Sequence, residues 1–200
     1  MGRTRAFDSD AVLAAAGNLF RQRGYRDVSI ADLEKATGLV SGSIYNAFGD
    51  KAGLFKAALH HYVHGFVRQR LDAFAGEKAG LEDLERLFLS ALEEPLADGH
   101  GCLVNNSIIE FGSEGGIASE DVGVTLAMVR EGIGDVLRRE LGSVASEAQT
   151  MHLVVLYHGI LTLSRSRTPF AEMAEVVRAE FDSLKQLRAR STAAPRITSP

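Results

Sequence analysis

GYRDVSIADLEKATGLVSGSIYNAFGDK, residues 24–51, decides how the rest of this chain is read. Two short helices joined by a tight turn are written into it. Ser29 precedes an amphipathic run and Asp32 follows three residues on, a capping-box arrangement. Ile30, Leu33 and Ala36 recur at helical spacing and give the first of the two helices one apolar face. Thr37-Gly38 stops it, because glycine takes the left-handed conformation that ends helices. Leu39 and Val40 are expected to bury the turn. Ser41 is a second N-cap candidate, and the next helix runs through Gly42 to Phe48 with Ile44 and Phe48 facing inward.

Ser41, Gly42, Ser43, Tyr45 and Asn46 are left on the outer side of that helix. They are small or hydrogen-bonding, which suits a groove lined with phosphates and base edges. Gly42 removes a side chain where a backbone needs a close approach. The pattern is that of a helix-turn-helix whose second helix lies in a DNA major groove.

Composition agrees. Two hundred residues suffice for a small head and one larger helical domain. There are four prolines and no tryptophan, and helical periodicity runs from Asp8 to about Arg190. The expected fold is all-α with about nine helices. They are placed at Ser9 to Arg23, the two helices above, Lys51 to Phe74, Leu81 to Leu96, within Cys102 to Phe111, Ser119 to Leu141, Ser146 to Ser164, and Pro169 to Arg190. GSEGG, residues 112–116, is expected to be a flexible loop. Expected boundaries are a DNA-binding head over 1–50, a body over 51–190 to which the family resemblance given below assigns ligand binding and dimerisation, and a disordered tail over 191–200. The net charge of −4 is unevenly spread, with seven Lys/Arg against six Asp/Glu in residues 1–51. Such a head makes few phosphate contacts, so affinity leans on pairing two heads and on focused contacts.

The helix DSDAVLAAAGNLFRQRGY (8–25) and the block SIADLEKATGLVSGSIYNAFGDKAGLF (29–55) together resemble the N-terminal domain of the TetR/AcrR family of bacterial transcriptional repressors. Two positions depart from the common pattern: Ala47 stands where many members have histidine, and Asn46 where many have a bulky aromatic. Base preference is therefore not transferred. The resemblance implies a homodimeric repressor on a palindromic double-stranded DNA operator, released by a small-molecule effector. It places Ser41, Gly42, Ser43, Tyr45 and Asn46 against DNA, with Ser29 and Lys51 holding the backbone from helix N-termini. Arg3 and Arg5 are weighed as a minor-groove arm against a plain unstructured end.

The eighth helix is apolar around nearly its whole circumference, so a partner is expected on one side of it. Val155, Leu156, Gly159 and Leu163 on that helix, with Met173, Val177 and Phe181 on the ninth, form the expected dimer interface. Cys102 stands in HGCLVNNSIIEFG (100–112), a string resembling a subgroup in which some members sense electrophiles through a cysteine. It reads either as a sensing thiol at a helix N-terminus or as a small buried hydrophobe. Asn106 beside it and His158 in the apolar eighth helix complete the effector-site candidates.

His60 and His64 are four apart, a spacing that can bind one metal ion, but no acidic or cysteine ligand follows at helical spacing. No metal and no cofactor are expected. The chain contains no phosphate-binding loop, dinucleotide fingerprint or nucleophile elbow, so no enzyme is expected. A helical scaffold without sequence-specific DNA binding is the alternative class. The start MGRTRAFDSD lacks the apolar core of a secretory signal, and Ala6 stands where an acylation signal needs serine or threonine. The apolar run Leu153 to Leu163 is too short to span a bilayer. One cysteine fits a reducing compartment. A soluble cytoplasmic protein without a membrane partner is expected.

Overall fold

A computed structural model describes residues 7–112, 116–142 and 147–193, apart from the side chains of 192 and 193. The expected arm of Arg3 and Arg5, residues 113–115 of the expected loop and residues 194–200 of the tail lie outside the described residues. The described elements are helical: α1 (Ser9–Arg23), α2 (Ile30–Thr37), α3 (Ser41–Phe48), α4 (Lys51–Tyr62), α5 (Arg68–Ala75), α6 (Leu81–Leu89), α7 (Leu103–Phe111), α8 (Ser119–Leu141), α9 (Glu147–Leu163) and α10 (Phe170–Ala193). A π-helical turn, Val63–Val67, joins α4 to α5 without a break, so the expected single helix from Lys51 is continuous but rewound in its middle.

Most helix ends follow from local chemistry. The Asp8 carboxylate accepts the Asp10 and Ala11 amides at the start of α1. Both halves of the Ser29–Asp32 capping box form, and Gly38 ends α2 with φ 71°. Two expectations are corrected. The helix from Leu81 stops at Leu89 and gives way to short 3₁₀ turns, Ser90–Leu92 and Leu96–Asp98, with Pro95 between them barring a regular helix through that position. Pro169 stands before α10 and not within its first turn, its carbonyl accepting the Glu172 amide at 3.1 Å.

The described chain gathers into two compact units. One holds residues up to Arg68 together with Cys102–Thr125. Its core is Phe20, Leu33, Ile44, Leu54, Phe55 and Leu59, all buried. A Cβ built on Gly17 would meet Ala58 and Leu103 at ordinary contact distance. The rings of Phe20, Tyr25, Phe55 and Phe111 stack edge-on or tilted at 5.0–5.6 Å along this core. The second unit, Gln69–Gly101 with the chain from Leu126 onward, packs α6, α9, α10 and most of α8. Phe88 lies edge-on to both Tyr157 and Phe181 at 5.2 Å. Arg188 pairs with Glu82 at 2.6 Å and with Glu140, and its hydrogen bonds hold the Glu82 carboxyl below its ordinary value.

Candidate nucleic-acid interface

The α2–α3 pair is positioned by contacts that leave one face of α3 uncovered. Ile44 is fully buried, and Phe48 is half-buried with its ring 6.3 Å from that of Phe7. On the opposite side Gly42, Tyr45, Asn46 and Ala47 are exposed, and Ser41 and Ser43 are partly so. Tyr45 is 49% exposed and stands clear of the head's core. A Cβ built on Gly42 meets no heavy atom within 4 Å, so nothing in the chain itself requires glycine there.

Ser41 is not the N-cap. That position is Val40, which supplies no side-chain hydrogen bond, and the Glu34 carboxylate accepts the Ser41 amide in its place. This acidic clamp from α2 onto the start of α3 fixes the turn between them. Val40 does not bury the turn either: it is 67% exposed, directly before the outer face of α3. Sequence reasoning missed it as a surface residue, because an isolated valine next to Leu39 carries no marker of which of the two turns inward.

Ser29 and Lys51 are both already engaged within the chain. The Ser29 hydroxyl donates to Asp32 at 2.5 Å and accepts the Asp32 amide at 3.2 Å. Hydrogen bonds from Ser29, reinforced by Arg23, hold the Asp32 carboxyl well below the usual carboxylate range. The Lys51 ammonium donates to the Val28 carbonyl at 2.7 Å and lies 4.4 Å from the centre of the Tyr25 ring. It therefore ties the turn before α2 to the start of α4. A further brace comes from α7: the Glu110 carboxylate accepts the Tyr25 and Arg26 amides at 2.8 and 2.7 Å. Burial, then the Asp50 and Glu110 charges, push the Tyr25 phenol up, so it stays neutral at the ring cluster.

Residues 12–58 match the family described as bacterial regulatory proteins, tetR family. That stretch is a TetR-family N-terminal helix-turn-helix domain. Over 165 residues it is 27% identical to the HTH-type transcriptional repressor ComR of Escherichia coli (strain K12), covering 80% of this chain and 79% of that protein. It is 34% identical over 113 residues to the HTH-type transcriptional regulator YezE of Bacillus subtilis (strain 168), covering 55% of this chain and spanning 58% of that protein's length. Among solved structures it resembles a cysteine mutant of the TetR family transcriptional regulator CifR complexed with a 26-bp double-strand operator DNA. The TM-score is 0.78 and the identity 26%, covering 91% of this chain and 99% of that one. These TetR-type relatives are transcriptional regulators. No described helix is long and apolar enough to cross a membrane.

The other expected site residues lie outside the helix-turn-helix. Cys102 is the N-cap residue of α7, 6% exposed, with its Sγ accepting from the Tyr62 hydroxyl at 3.7 Å. That is the setting of a packed thiol more than of a partly exposed reactive one. Asn106 is buried and its side-chain amide donates to the Arg21 carbonyl at 3.0 Å, tying α7 to the end of α1. His158 belongs to the other compact unit, where burial pushes its imidazole pKa down.

Of the expected interface residues, Val155 is 64% and Leu163 46% exposed, and Leu156 and Gly159 are intermediate. Met173, Val177 and Phe181 are corrected to core positions, since all three are buried inside their own subunit and leave a partner almost nothing to touch. Met151 and Val176, at 42% and 55%, are exposed instead.

Proposed function

We propose that this chain is a homodimeric, effector-responsive transcriptional repressor of the TetR family that reads a palindromic double-stranded DNA operator with α3. The single observation carrying the reading is the braced but uncovered face of α3, where Tyr45 and Asn46 stand exposed above a fully buried Ile44. Tyr45, Asn46 and Ser43 reach base edges and phosphates, Ser41 a phosphate at the helix start, and the backbone at Gly42 approaches the groove closely. Val40 adds an apolar contact of the kind that reads a thymine methyl. Ser29 and Lys51 act mainly by holding the head rigid. The helix N-termini beside them still favour phosphate through their free amides.

The division of labour is a DNA-binding head over residues 1–50 and a ligand-binding and dimerisation body over 51–190. Met151, Val155, Gly159 and Leu163 recur every four residues on α9, and this stripe supports a two-fold partner there. Two heads on a two-fold axis fit half-sites about 34–36 Å apart. An effector in the body prefers the conformation in which the heads no longer match that spacing. A preference of about 1–3 kcal/mol suffices for a 5- to 150-fold change in affinity.

A gel shift against a palindrome-selected DNA pool tests the reading. The chain is expected to retard one sequence class at moderate salt, and Tyr45→Ala is expected to abolish that shift with the melting temperature unchanged. Retardation that is equal for all sequences, or absent, rejects sequence-specific repression.

A further inference from the structure

Three side chains that sequence spacing does not group meet on the surface of the unit that carries the head. His60 lies at the end of α4, His64 in the π turn that follows, and Asp121 in the first turn of α8. The His60 Nδ1 is 3.1 Å from the Asp121 Oδ1, and the two imidazole rings are 4.1 Å apart between centres. One ligand atom from each of the three lies within 4.8 Å of the others. We propose that His60, His64 and Asp121 form a binding site for a divalent transition cation of the zinc class.

The donor set selects the metal. Two imidazoles and one carboxylate suit zinc, copper(II), nickel or cobalt, whereas magnesium and calcium prefer oxygen ligands throughout. Around a tetrahedral zinc with bonds of about 2.0–2.1 Å, neighbouring ligand atoms are roughly 3.3 Å apart. The present separations reach that value by small rotations of exposed imidazoles. Three protein ligands leave a fourth position for water.

The surroundings favour a site over a chance cluster. The Asp121 side chain is only 13% exposed, so the carboxylate is fixed in place, while the His60 side chain is 65% exposed and leaves an entry path. The Asp121 carbonyl also accepts the Thr125 hydroxyl at 2.8 Å, which anchors that first turn of α8. The π turn Val63–Val67 widens the helix where His64 leaves it, and such turns recur at functional positions. Neighbouring His61 is not part of the set, since its Nδ1 faces Asp10 at 3.7 Å. A bound cation links the end of α4 to the first turn of α8 and takes both imidazoles in their neutral form.

Titration calorimetry of the full chain with zinc chloride, in the absence of DNA, tests the site. One zinc per chain is expected, with affinity falling at least tenfold in His64→Gln and in Asp121→Asn, and unchanged in His152→Ala, a surface histidine on α9. Zinc is expected to raise the melting temperature of the wild type and of His152→Ala but not of the two site variants, which also reports that those variants fold. Cobalt(II) is expected to give a visible absorption band of tetrahedral intensity that the site variants lose, and magnesium chloride no heat. Zinc heats equal in wild type and Asp121→Asn, or absent in the wild type, overturn the assignment. Because no DNA enters the experiment, its failure leaves the repressor reading standing, and failure of that reading leaves the metal site standing.

Discussion

Gly42→Ala separates folding from DNA contact more cleanly than any other change in the head. Gly42 is the second residue of α3, is exposed, and has no heavy atom within 4 Å of where a Cβ would sit. No steric cost attends the methyl in the free protein. Alanine instead gains helix propensity over glycine, about 0.5–1 kcal/mol in a helix interior and somewhat less in a first turn. For a chain of this size a gain of that order raises the melting temperature by roughly 1–4 °C. In the complex the same methyl points at the surface on which α3 is proposed to dock. If the backbone at Gly42 approaches phosphate or base edge within contact distance, α3 must shift, at a cost of the order seen for overpacking, about 1–3 kcal/mol. That corresponds to roughly a 5- to 150-fold weaker complex. The assay is fluorescence anisotropy with the selected operator at one fixed salt concentration, beside a urea melt of both proteins. A more stable protein that binds its operator less well is the expected result. Unchanged operator affinity refutes close approach at Gly42, and a lower melting temperature refutes the open surroundings.

Replacing Glu110 by alanine removes the acceptor of the Tyr25 and Arg26 amides, and is expected to lower the stability of the head-bearing unit by about 1–3 kcal/mol in chemical denaturation. Ser29→Ala breaks the capping box of α2 and is expected to cost about 1 kcal/mol, read from the same melts. Val155→Asp places a charge on the exposed stripe of α9 and is expected to convert a dimer to monomer in light scattering; a persistent dimer would relocate the interface. His158 has a folded pKa below its unfolded value near 6.5, so the unfolded chain binds the extra proton first. Its contribution is complete above about pH 6.5 and is lost as pH falls from there toward the depressed folded value. Urea midpoints measured from pH 8 to pH 5 are expected to decline in the wild type and to decline less in His158→Gln.

What could be read from the sequence divides along the range of the interactions. The cap at Ser29, the left-handed Gly38 and the inward Ile44 depend on residues within four positions, and each follows from spacing alone. The braces that hold the reading head still are different. Glu110 reaches the Tyr25 and Arg26 amides across 85 and 84 positions, Asn106 reaches the Arg21 carbonyl across 85, and Lys51 reaches Val28 across 23. No periodicity encodes such pairings, because they exist only once helices distant in sequence have docked. Apolar stripes show the same limit. The spacing of Met173, Val177 and Phe181 identifies a buried face of α10 but not which body covers it, and here it is the subunit's own core. On α9 the same kind of stripe stays exposed at Met151, Val155 and Leu163. His60 and His64 gained an acidic neighbour only when α8 brought Asp121 within 3.1 Å, 61 positions away. The helix-turn-helix is therefore readable as a local object, whereas its rigidity is a property of closure between distant helices. Variants that sever those long-range braces should lower operator affinity without touching α3 itself, which makes Glu110→Ala a probe of function as well as of stability.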